Sequence, residues 1–152
     1  MKRTWASFAF LIGPTAFLLG CQQQKQEGQE KKVAEAAAGK TCYAYVSQTD
    51  TIRLTLRSSG AVVTGNLQYQ LAEKDRNTGT ISGQMRGDTL LADYRFQSEG
   101  VESVREVAFL LNGDTMIEGF GPVADKAGKV VFSPRSRITF SEQFPLTKTT
   151  CE

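Results

Sequence analysis

From residue 41 onward, apolar and polar positions alternate with a period of two in short runs separated by turn residues, and helical periodicity is almost absent. "TIRLTLR" sets Ile52, Leu54 and Leu56 on one face and Arg53, Thr55 and Arg57 on the other, which describes a half-buried strand. "VTGNLQYQL" turns Val63, Leu67, Tyr69 and Leu71 inward against Thr64, Asn66, Gln68 and Gln70. A Ser59-Gly60 turn between them sets Leu56 opposite Val63. Taking Gly87-Asp88 as a two-residue turn pairs Met85 with Leu90, Gly83 with Ala92 and Ile81 with Tyr94. Gly100-Val101, read as a type II′ turn, pairs Tyr94 with Val107, Ala92 with Phe109 and Leu90 with Leu111, with Arg95 meeting Glu106 on the other face. Asn112-Gly113 pairs Phe109 with Met116. A one-residue slip would exchange the core and solvent faces, so their agreement across successive hairpins supports one inner surface.

Residues 73 to 77, "EKDRN", form the connection of odd length that keeps the faces matched between Leu71 and Gly79. After Gly121 the alternation weakens: "GPVADKAGK" reads as a loop, "VVFS" and "RITF" as short strands, and the final segment leads back toward Cys42. The prediction is an all-β fold, an antiparallel meander of about eight strands closed as a small calycin-like up-and-down barrel. A two-sheet β-sandwich is the alternative.

The N-terminal part has a different pattern. Lys2 and Arg3 precede the apolar stretch "WASFAFLIGPTAFLLG", a secretory-signal pattern too short and too proline-interrupted for a good membrane span. Leu18-Leu19-Gly20-Cys21 resembles the lipobox of bacterial lipoproteins, which implies cleavage after residue 20 and acylation of Cys21. Two or three acyl chains would anchor the mature protein to a membrane without crossing it. Residues 21 to 40, rich in Gln, Lys, Glu and Ala, read as a flexible tether, and residues 41 to 152 as one domain. Of the 18 basic residues two lie in the signal, which has none of the 16 acidic ones, so the mature chain is formally neutral and carries no electrostatic signature of nucleic-acid binding. With Cys21 assigned to lipid, Cys42 and Cys151 are left to pair in an oxidising compartment, tying the first strand to the last.

The chain contains no histidine, which removes the Ser-His pairings and the usual zinc sites; no metal or cofactor is implied. Among the acidic residues near paired strands, Glu106 has Arg95 as its cross-strand partner, and Asp93, Glu99, Glu102 and Glu118 read as solvated. Asp75, Asn77 and Gly79 have the alternate spacing of a hard-cation loop without its final acidic ligand, so turn chemistry accounts for them better. Arg86-Gly87-Asp88, an adhesion-like tripeptide, falls where the register requires a turn. Gly65, Gly83 and Ala92 cluster on the inner face. They either leave an apolar pocket lined by Leu67, Tyr69, Tyr94 and Phe109, or permit the bending that a small barrel needs. On the outer face Leu91 opposite Leu110 and Ala108 opposite Ile117 form an apolar patch, to be covered by the chain itself or left for a protein partner.

The run from residue 73 to 121, with the lipobox and the two remaining cysteines, resembles a type of small lipoprotein common in Bacteroidota. That resemblance implies an exported, lipid-anchored envelope protein, with the outer membrane as the expected location, and supplies no site residues. The expected role is a non-enzymatic binding or structural module. A periplasmic inhibitor of an envelope enzyme and a carboxylate-dependent hydrolase are the alternatives.

Overall fold

A computed structural model describes residues 39–72, 74, 76–98 and 100–151. The signal segment, Cys21 and nearly all of the tether lie outside the described residues. The first strand, β1 (Lys40–Val46), is followed by β2 (Thr51–Ser59), β3 (Val62–Gln70), β4 (Asn77–Arg86), β5 (Thr89–Ser98), β6 (Val101–Asn112) and β7 (Thr115–Phe120). Each pairs antiparallel with the next. The chain then forms the short hairpin β8 (Val123–Lys126) and β9 (Lys129–Phe132), a 3-10 turn at Arg135–Arg137, the two-residue β10 (Thr139–Phe140) and finally β11 (Leu146–Thr149). β11 lies between β7 and β1, which closes an eight-stranded antiparallel barrel. Cys42 faces Thr149 in that closure, and the Cys42–Cys151 disulfide, with its Cα atoms 5.3 Å apart, ties the first barrel strand to the chain just beyond the last.

The predicted inner surface is the core: Ile52, Leu54, Leu67, Leu90, Tyr94 and Phe109 have no solvent exposure. Three of the four predicted registers are nevertheless displaced by two residues. Ser59 pairs with Val62, which sets Leu56 against Gly65; Ser98 pairs with Val101, which sets Tyr94 against Arg105 and Ala92 against Val107; Asn112 pairs with Thr115, which sets Phe109 against Glu118 and Leu111 against Met116. Only the Gly87-Asp88 turn falls where predicted. The reason is the place of glycine in each turn. Gly60, Gly87 and Gly113 stand first of the two central residues with φ near +60°, the place that type II′ reserves for glycine, whereas Gly100 (φ 80°) stands second. A two-residue displacement keeps every side chain on its face, so the inside and outside of the barrel survived the error while the cross-strand partners changed.

The segment after β7 forms a strap over the outside. β9 runs parallel to the start of β6, with Val104 opposite Lys129, and β10 pairs with the end of β7. Glu106, read above as the partner of Arg95, is the strap's anchor: its side chain is 3 % exposed and accepts from the Phe132 backbone N–H at 3.0 Å and the Arg135 guanidinium at 2.5 Å. Arg95 is instead paired with Glu102, and Asp93 with Lys129.

Candidate site at the open end of the barrel

The two ends of the barrel are built differently. At one end, tight turns close β2–β3, β4–β5 and β6–β7, and the disulfide lies beside them. At the other, β1–β2 and β3–β4 are joined by residues 47–50 and 71–76, and residues 141–145 cross from β10 to β11. Here the wall also parts. β6 pairs with β7 through Ala108–Asn112, but nearer this end its edge goes to β9, while β7 turns to β10. A cavity of about 460 Å³ opens at this end, within the size range of small-molecule sites.

Alternation places Arg105 and Glu118 on the inner face, where they line this cavity with Tyr69, Asn77 and the apolar side chains of Ile52, Leu71, Phe120 and Phe144. The Arg105 guanidinium carbon is 5.4 Å from the ring centre of Tyr69, 5.5 Å from that of Tyr94 and 5.3 Å from that of Phe96. Those rings are themselves fixed: Tyr94 stacks on Phe96 at 4.7 Å, packs edge-on to Tyr69 at 5.9 Å and donates its hydroxyl to the Leu67 carbonyl at 3.1 Å. Cation–π attraction therefore holds the guanidinium in place beside the three rings. Its Nε is buried without a hydrogen-bond partner, as is Asn77 Oδ1 in the same cavity wall. Among the described residues Arg105 forms no ion pair.

Glu118 is 6 % exposed and accepts a 2.6 Å hydrogen bond from the Tyr69 hydroxyl. Burial raises its pKa above the ordinary carboxyl value, against the opposing pull of the Tyr69 hydrogen bond and the Arg105 charge. Burial, aided by the Glu118 charge and hydrogen bond, pushes Tyr69 far above the phenol range, and burial brings Tyr94 to about 12. Both phenols are neutral donors at physiological pH. Asp50, at the rim, is of another kind. Its Oδ1 accepts from the Ala72 backbone N–H at 2.7 Å and its Oδ2 from the Thr49 hydroxyl at 3.0 Å, and these bonds hold its pKa down.

No family model, curated protein or solved structure matches this chain.

The residues singled out from the sequence divide into three groups. Leu67, Tyr69, Ala92, Tyr94 and Phe109 are all buried on the inner face as expected, but Gly65 and Gly83 do not line the open-end cavity. A Cβ on Gly65 would stand 1.9 Å from the Thr55 carbonyl oxygen, and one on Gly83 2.2 Å from that of Leu91 and 2.5 Å from the Ala92 Cβ. These glycines let adjacent strands come close, which is the bending role, and the cavity lies toward the other end, sharing only Tyr69 with the predicted pocket. The outer patch is rearranged and largely self-covered: Leu91 faces Ala108 and Leu110 faces Ile117, Ala108 and Ile117 are buried, and Leu91 and Leu110 are half-buried. Ile138 and Phe140 of the strap pack on Gly119 beside them. The Arg86-Gly87-Asp88 tripeptide is a turn. Asn77 belongs to the cavity wall, and the described residues hold no cluster of metal-ligating side chains.

Arg105 was missed by the sequence reading, which gave Glu118 and Asn77 other roles, as a solvated acid and a turn residue. The signal for Arg105 and Glu118 was present: period-two alternation from Phe109 back through Val107 reaches Arg105, and from Met116 forward it reaches Glu118. A charge in an inward position of an apolar strand is the observation that matters.

Proposed function

We propose that this protein is a lipid-anchored envelope module that binds a small molecule in the cavity at the open end of its barrel. The observation that carries this reading is the pair of buried, unpartnered polar atoms, Arg105 Nε and Asn77 Oδ1, on the wall of one cavity. Folded proteins leave few such atoms without a partner, and two side chains that carry them on the wall of one cavity suit a ligand with polar groups. Apolar side chains line the same cavity and suit the rest of such a molecule.

Binding of a protein through the outer patch is less well supported, because the strap buries Ala108 and Ile117. A hydrolase using paired carboxylates would need Asp50 with Glu118, and both Asp50 oxygens are engaged in holding the rim loops. The acylation of Cys21 and the outer-membrane location rest on the lipobox resemblance. β1 enters at the disulfide-bonded end, opposite the cavity mouth.

Native mass spectrometry of the acylated protein isolated from its own envelope tests this. A bound small molecule is expected on the wild type and should be lost from Leu71→Trp, which crowds the cavity without altering Arg105 or Glu118. A saturating ligand at a hundred times its Kd should stabilise the fold by about 2.7 kcal/mol. A protein that carries no adduct, and whose thermal midpoint is unmoved by an envelope extract, would overturn the proposal.

A further inference from the structure

Resting on the reading of the open-end cavity as a ligand site, we infer that its occupant is a monocarboxylate on an apolar body, with Arg105 receiving the carboxylate. A guanidinium keeps its charge at any physiological pH, and a cation drawn out of water needs a counter-charge or a full set of acceptors. Arg105 has neither: it forms no ion pair among the described residues, and its Nε lacks an acceptor. The three aromatic rings lie within 5.5 Å of the guanidinium carbon and leave its N–H edge without a carboxylate partner among the described residues. That edge is a planar fork matched to the two oxygens of a carboxylate.

Glu118 does not fill this role. Its Oε1 is taken by the Tyr69 hydroxyl, and it lies outside ion-pair distance of Arg105. The charge of the site limits the ligand to a single negative charge. Among the described residues that line the cavity, the cations are Arg105 on the inner wall and Lys74 at the exposed rim, where Asp50 also lies. A dianionic phosphate would set two negative charges against one guanidinium beside Glu118, whereas a monocarboxylate sets one. Ile52, Leu71, Phe120 and Phe144 then surround the body of the ligand with apolar surface.

The test uses the mature full-length lipoprotein in nanodiscs, titrated calorimetrically with 4-phenylbutyrate, 4-phenylbutanol and 4-phenylbutylamine, and with octanoate as a second acid. At least one acid is expected to bind roughly tenfold or more tightly than the alcohol, and the amine not at all. Arg105→Gln in the same nanodiscs controls for partition into lipid and should abolish the preference for acid over alcohol. Arg105→Lys, which keeps the charge without the fork, should restore only part of it. Equal binding of acid and alcohol, preferential binding of the amine, an acid preference that survives Arg105→Gln, or failure of both acids to bind would each overturn the inference. If an envelope-derived adduct is present in any of those cases, the cavity reading stands and only the carboxylate assignment falls. Absence of the adduct removes both.

Discussion

The same eight strands make two different structures at the two ends of the barrel. At the disulfide-bonded end the turns are short, glycines let backbones approach, and Leu90, Phe109 and Val63 fill the interior. At the open end the β1–β2 and β3–β4 connections are longer, β6 and β7 separate, and the interior holds Arg105, Glu118 and Asn77. One end is fastened by burial and a covalent bond; the other holds polar groups that burial alone does not satisfy. On the proposed reading, stability and binding fall at opposite ends of one wall, so a defect at one end need not destroy the other.

The covalent fastening should give the largest effect. Replacing Cys42 and Cys151 together with alanine releases a link between residues 109 apart in sequence, which in the chain-entropy model costs about 4 to 5 kcal/mol. Urea unfolding of the oxidised wild type and the double variant measures it. A loss below about 1 kcal/mol would show that barrel closure at β1–β11 is maintained by packing rather than by the disulfide.

Packing at the two ends can then be compared directly. Phe109 is fully buried and Phe144, which stacks edge-on to Tyr45 at 5.3 Å, is half-buried at the cavity rim. Phe109→Ala is expected to cost about 3 to 5 kcal/mol and Phe144→Ala less than about half of that. Equal losses in denaturant titrations would mean that the rim is as much part of the core as the closed end.

The difference between the ends also explains what was legible in the sequence. Period-two alternation is a property of the strand itself, so the inner residues Ile52, Leu54, Leu67, Tyr94 and Phe109 were correctly assigned before any partner was known. Pairing is set by turn geometry, and Ser59-Gly60 and Asn112-Gly113 were placed one residue early because glycine was assigned the second place instead of the first. The Gly100-Val101 turn was placed one residue late, with glycine in the first place instead of the second, which preserved the faces but set Val107 where Arg105 belongs, opposite Tyr94, and so hid the aromatic cage. The strap was harder to read, because a parallel partner for β6 and a two-residue β10 leave no periodic pattern. Glu118 was legible but was read as solvated; its burial depends on strands far away in sequence.

Within the open end, the Tyr69–Glu118 bond should be worth less than the buried ring of Phe109. Tyr69→Phe removes the donor and leaves a buried carboxylate oxygen without its hydrogen bond, at a cost of about 1 to 3 kcal/mol. Because the phenyl ring remains, the stacking around Arg105 should persist, and any ligand should still bind. A change under about 0.5 kcal/mol in chemical denaturation would indicate that water replaces the phenol at Glu118.

The smallest effect should be the pH dependence that Glu118 brings to the open end. Its folded pKa lies above the ordinary 4.5, with burial as the main cause, so the native state holds this proton more tightly than the unfolded chain does. For a carboxyl shifted in that direction the contribution to stability is greatest below the unfolded value and declines as pH rises through the folded one. Glu118→Gln cannot titrate, yet its amide oxygen can still accept from Tyr69. The stability of the wild type relative to this variant should therefore fall as pH is raised from about 4.5 toward neutrality and level off once Glu118 is ionised in both states. Asp50, whose pKa is lowered, gives the opposite slope, but it is present in both proteins and cancels in their difference. Urea titrations of the pair across that range decide the matter. A difference that stays constant, or that moves in favour of the wild type as pH rises, would mean that Glu118 is solvated or ion-paired in the folded barrel, and the contrast between a dry closed end and a charged but desolvated open end would no longer hold.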